Sequence, residues 1–153
     1  MADSILHLPS FRIIGLAVRT TNQGAKSQED ISGLWQRFMR EDIISKIPDK
    51  ENDQIYCLYT DYENEANGHY TTIIGCKVKS LEKTPEFCIG KTIPASTYQL
   101  IVSKGKLPEA VVDTWKRIWL SGMKRKFQTD FDLYGEKSKD PNRAEVETYL
   151  SVP

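Results

Sequence analysis

The sequence predicts an α+β fold in which duplicated βαββ units form a curved antiparallel sheet with two helices and a central ligand cleft. Three observations carry this reading. The apolar periodicities run strand, helix, strand, strand and then repeat in that order. Each repeat holds one amphipathic helix centred on tryptophan, Leu34-Trp35-Gln36-Arg37-Phe38 in the first and Thr114-Trp115-Lys116-Arg117-Ile118-Trp119 in the second. The length of 153 residues suits one domain with a continuous core that needs neither metal nor disulfide.

Taken in order, residues 1–10 read as a frayed N-terminus. Phe11 to Thr20 is rich in β-branched and aliphatic residues and forms the first strand, with Gly15 marking a bulge. After a polar loop, Ile31, Leu34, Trp35, Phe38 and Ile43 recur at helical spacing. Ser27 is the expected N-cap with Asp30 three residues on, and the helix should stop before Pro48. Gln54 to Tyr62 is a strand with aromatics on both faces. A turn from Glu63 to His69, containing Asn67-Gly68, leads to its partner, Tyr70 to Val78.

The second half opens with extended segments, Phe87 to Lys91 and Ala95 to Val102, parted by Pro94, which favours a bend. Pro108 suits the first turn of a helix, Val111, Trp115, Ile118 and Trp119 share its apolar face, and Gly122 ends it. Phe127 to Tyr134 is a strand. A polar loop from Gly135 to Arg143 precedes the closing strand, Glu145 to Val152. Both helices should cover one side of the shared sheet, leaving a crevice between them where small molecules bind.

Composition narrows the function. Lys plus Arg and Asp plus Glu both total 21, for a formal net charge of zero, which argues against direct nucleic-acid binding. The one compact basic run, Lys124-Arg125-Lys126, reads as a solvated turn after a helix. No secretory pattern opens the chain, and no apolar run approaches the ~20 residues that span a bilayer, so a cytoplasmic location without membrane contact is expected. Cys57, Cys76 and Cys88 show no CxxC spacing and read as buried thiols. With His7 and His69 the only histidines, neither a Cys–His pair nor a zinc site is expected. No phosphate loop or dinucleotide fingerprint is present, and no cofactor is implied.

Five stretches then resemble one family. Leu58 to Glu63 with Tyr70 to Val78 resembles the first hairpin of the GyrI-like, or AraC-type, effector-binding domains found in bacterial transcription activators. Ile93-Pro94-Ala95-Ser96-Thr97-Tyr98 is similar to the family's IPA..Y strand, and Trp115 to Trp119 to its W..IW helix. Thr129 to Tyr134 is similar to DFE.Y, and Val146 to Val152 to VEIYLPV. The resemblance covers about Phe11 to Val152. It implies a duplicated βαββ fold that binds small organic molecules, often lipophilic cations, and that is frequently fused to a DNA-binding domain. Only about ten residues precede the first strand, so the expectation is a free-standing sensor or sequestering subunit, with any DNA-binding or other protein partner a separate chain. Where the family's pocket strand carries Glu, this chain has Asp132, one methylene shorter, which implies a displaced or water-bridged contact to a ligand cation.

The candidate ligand-binding rings are Trp35, Phe38, Tyr59, Trp115, Trp119 and Tyr149, and the candidate acids are Asp132 and Glu147. Aromatic faces attract cations through the ring quadrupole, and a buried carboxylate supplies the countercharge. Helix-spaced aromatics equally serve as core. Trp119 is the expected exception, because Trp115 or Ile118 can anchor the helix. Period-two alternation places Glu147 and Tyr149 on one face, and Asp130 with Asp132 on one face. Two like charges buried together would need a cation. Acids and rings from both halves are expected to meet at one hollow. The alternative is a small-molecule hydrolase in which Glu147 and Tyr149 activate water, as the resemblance also allows. A third reading, inhibition of a larger enzyme such as a topoisomerase, follows from the family alone.

Overall fold

The computed structural model describes residues 4–65 and 67–153. Its elements are β1 (Ser4–Leu8), β2 (Phe11–Thr21), α1 (Lys26–Arg40), α2 (Ile43–Lys46), β3 (Ile55–Thr60), β4 (His69–Val78), β5 (Ile89–Ile93), β6 (Ser96–Gly105), α3 (Glu109–Ser121), β7 (Thr129–Tyr134) and β8 (Ala144–Ser151), with a 3₁₀ turn at Glu136–Ser138. All eight strands join one antiparallel sheet in the order β1-β6-β8-β7-β3-β4-β2-β5. The two units are therefore β2-α1-β3-β4 and β6-α3-β7-β8, joined at the centre of the sheet by β3 and β7.

The short links force the sheet to curl. Strands β1 and β2 stand six positions apart in the sheet, about 29 Å if it were flat. Yet only Pro9 and Ser10 connect them, a span of at most about 11 Å. Pro94 and Ala95 impose the same limit between β5 and β6. The concave face that results is packed with rings from distant strands: Phe11 of β2 lies 5.5 Å from Phe131 of β7, which stacks at 4.6 Å on Tyr149 of β8. The expected bulge at Gly15 does not form, because the β2–β4 register runs unbroken through it; instead Gly15 faces Gly75, where the two strands approach closely. A Cβ on Gly15 would fall 2.1 Å from the Ile74 carbonyl oxygen.

The helices lie on the convex face. Helix α1 buries Leu34 and Phe38 against Ile14, Leu16, Cys57, Ile74 and Cys76, while Ile118 of α3 packs with Ile101 and Leu150. Among the described residues no helix is long and apolar enough to cross a membrane. All three cysteines are free and buried.

Several local expectations change. Of the segment expected to fray, residues 1–3 lie outside the described residues, but Ser4–Leu8 pairs with β6 as an edge strand. Ala66, within the expected turn before β4, also lies outside the described residues. Helix α1 starts at Lys26 behind Ala25 with no side-chain cap, so Ser27 sits in its first turn. The helix ends at Arg40, where Asp42 takes a left-handed φ of 49° before the short α2. Gly122 terminates α3 in the left-handed region at φ 67°, where glycine has no Cβ to clash.

Candidate functional site

The gap between α1 and α3 is a cleft of about 820 Å³. Ile31 and Trp35 of α1 form one wall, Val111, Trp115 and Trp119 of α3 the other, with Tyr59 and Tyr134 beneath. Two edge-to-face ring pairs frame it. Trp35 meets Tyr134 at 5.0 Å and Tyr59 meets Trp115 at 5.1 Å. The helix of each unit thus sets its tryptophan against a tyrosine from the strand of the other, tying the cleft to the junction of β3 and β7. Aromatic pairs of this kind add about 0.5–1.5 kcal/mol beyond burial of area.

Under the rings lies Asp132, 0% exposed. Its carboxylate accepts hydrogen bonds from the Tyr59 hydroxyl (2.8 Å), from Trp115 Nε1 (3.1 Å) and from the Thr148 hydroxyl (2.5 Å). No ion pair among the described residues engages it. Burial pushes its pKa up to about 6 against the pull of these donors, and the charge of Asp130 pushes the same way. Burial, and then the charge of Asp132, also raises the Tyr59 hydroxyl well above its ordinary value, so Tyr59 remains a donor at neutral pH.

Asp130, also 0% exposed, is resolved differently. Arg125 Nη2 lies 2.8 Å from its Oδ2, the Tyr62 hydroxyl donates to the same oxygen at 2.5 Å, and the Ser151 amide and hydroxyl donate to Oδ1 at 2.7 and 2.9 Å. The cation that two buried acids called for is Arg125. Its side chain is only 7% exposed, and its guanidinium lies 4.2 Å from the Phe127 ring centroid and 5.6 Å from that of Trp115. This corrects the reading of Lys124-Arg125-Lys126 as wholly solvated: the two lysines are exposed, but Arg125 turns inward and lines the cleft.

The structure divides the candidate residues. Trp35, Tyr59, Trp115 and Trp119 line the cleft, and Trp119 is 50% exposed. Phe38 does not line it; at 1% exposure it is packed in the core beneath α1. Glu147 and Tyr149 lie on the opposite, concave face. The register pairs Asp132 with Thr148 and Leu133 with Glu147, and directly opposed residues share a face. Acids from β7 and β8 therefore do not meet at one hollow: neighbours along a strand point to opposite sides. There the Tyr149 hydroxyl donates to Glu147 Oε1 at 3.0 Å. Tyr134, absent from the candidates, was within reach of the alternation, since it stands two residues beyond Asp132. Nothing in the sequence pattern marked Arg125 or Tyr62. Among the described residues no group of three or more His, Cys, Asp or Glu is placed to hold a metal ion.

The chain is similar to known proteins in sequence and in fold. YobU of Bacillus subtilis (strain 168), whose name proposes it as a transcriptional regulator, is 33% identical over 153 residues, covering 97% of this chain and 96% of YobU. An integron cassette protein from the mobile metagenome of Vibrio cholerae matches with a TM-score of 0.75 at 28% identity, over 99% of this chain and 95% of that one. SAV2435, solved bound to tetraphenylphosphonium, matches with a TM-score of 0.83 over 100% of this chain and 94% of that one. At 20% identity that likeness is one of fold. The family model of Cass2, the integron-associated effector binding protein, matches residues 4–152, and the chain belongs to that family.

Proposed function

We propose that this protein binds a lipophilic organic cation in the cleft between α1 and α3, with Asp132 as countercharge and Trp35, Tyr59, Trp115 and Trp119 as the ring wall. One observation carries the reading: Asp132 is fully buried, held by three neutral donors, and outside every ion pair of the described residues. Ionising such a group costs free energy that an incoming cation offsets. The rings add attraction of about 2 kcal/mol when the cation is desolvated. Because Asp132 lies behind Tyr59 and Trp115, the cation meets ring faces first and senses the carboxylate through them. This arrangement fixes charge and leaves shape loosely specified, which suits varied ligands. Arg125 does not oppose binding, since Asp130 neutralises it at 2.8 Å. The fold that holds tetraphenylphosphonium in SAV2435 is compatible with the same class of ligand here.

In this reading the protein reports or sequesters such compounds, in keeping with a relative named for transcriptional regulation. Glu147 and Tyr149 take no part in this cleft. The test is titration with tetraphenylphosphonium, followed by tryptophan fluorescence and calorimetry. All three tryptophans line the cleft, so binding should change their emission, and Asp132→Asn should weaken it. Unchanged emission with no heat of binding would refute the proposal, as would equal affinity in Asp132→Asn.

A further inference from the structure

The concave face has a cavity of its own. Four strand ends, those leading into β3 and β8 and out of β6 and β7, frame a space of about 810 Å³ whose lining includes Gln54, Val102, Lys104, Leu133, Glu145 and Glu147. Glu147 stands at its centre, because the register sets Val102 of β6 on one side of it and Leu133 of β7 on the other. The carboxylate is thus flanked by apolar side chains, and the Tyr149 hydroxyl orients it through Oε1 at 3.0 Å. No ion pair of the described residues engages Glu147, whereas its neighbour Glu145 takes two, from Lys104 Nζ and Lys137 Nζ, each at 3.5 Å. The rim therefore already displays the chemistry of a primary ammonium against a carboxylate, with Glu147 the acid left without one.

We infer that this cavity is a second binding site, which takes the ammonium of a straight-chain aliphatic amine on Glu147 and lays its stem along Val102 and Leu133. The site differs in kind from the cleft between the helices. It contains no tryptophan, and its acceptors favour a cation with N–H donors, as in a primary ammonium, over a phosphonium or a quaternary ammonium that has none. Strands β7 and β8 separate the two sites, with Asp132 and Thr148 facing one and Leu133 and Glu147 facing the other.

The experiment is calorimetry of the whole chain with hexylamine, alone and in the presence of saturating tetraphenylphosphonium. Hexylamine should bind once per chain, undisturbed by the phosphonium, with tryptophan emission unchanged. Glu147→Gln keeps an acceptor for Tyr149 and should lower hexylamine affinity at least tenfold while phosphonium binding persists, which also shows that the variant is folded. Tyr149→Phe should lower it by a smaller factor. Asp132→Asn should do the reverse, weakening the phosphonium and sparing the amine, so failure of one site is distinguishable from failure of the other. Absence of hexylamine binding, competition between the two compounds, or equal amine affinity in Glu147→Gln would overturn the inference.

Discussion

Asp130 and Asp132 are two residues apart on β7, equally hidden from solvent, yet one is completed by the protein and the other is not. Asp130 has a guanidinium, a phenol and a backbone amide around it. Asp132 has a phenol, an indole and an alcohol, and no cation of its own. In a medium where a charge is costly, the source of the countercharge assigns the role. An internal cation makes Asp130 part of the scaffold; under the proposed function, its lack leaves Asp132 to take its countercharge from the ligand.

The contrast is broken most severely at Arg125. Arg125→Met leaves Asp130 buried without its cation and should cost about 3–5 kcal/mol in urea unfolding. Next in size is the pH dependence of the wild type. The Asp132 carboxyl loses its proton near 3.8 when unfolded and near 6 when folded, so the folded state holds the extra proton in between. The stability contributed by Asp132 should be greatest below pH 4, fall by about 3 kcal/mol as pH rises from about 4 to 6, and then level. Urea unfolding at pH 4.5 and 7.5 reads this slope, which Asp132→Asn should flatten. Phosphonium binding should run the other way, tightening as pH rises through 6. At neutral pH, Asp132→Asn should weaken that binding by about 2 kcal/mol, roughly thirtyfold by calorimetry. The smallest effect is expected at half-exposed Trp119. Trp119→Ala should lose about 0.5–1 kcal/mol of cation affinity, with stability within about 0.5 kcal/mol of wild type.

Much of this was legible in the chain. The strand and helix periods, the bend at Pro94 and the stop at Gly122 are local signals, and local signals survive folding. The ring wall was legible as well, because Trp35, Trp115 and Trp119 repeat on helical faces. What escaped depends on register and on long-range company. Alternation correctly paired Glu147 with Tyr149 and Asp130 with Asp132. Whether those two sets share a face depends on which residue of β8 lies opposite Asp132, and a slip of one residue inverts the answer. Ser4–Leu8 offered only five residues of alternating character near a terminus, and its partner, β6, lies some ninety positions away in sequence. Arg125 stood between two exposed lysines, and only the buried acid on β7 turns it inward.

Each unit lends its leading strand to the other: β1 precedes β2 but lies beside β6, and β5 precedes β6 but lies beside β2. Neither unit, excised, would carry its own border. Such a fragment could complete its sheet only on a second polypeptide, by reciprocal exchange of the kind that builds domain-swapped dimers. The present chain holds that dimer's design in one covalent piece. With two non-identical copies, the chain places a lone acid, Asp132, on β7 and the thiol of Cys57 directly opposite it on β3.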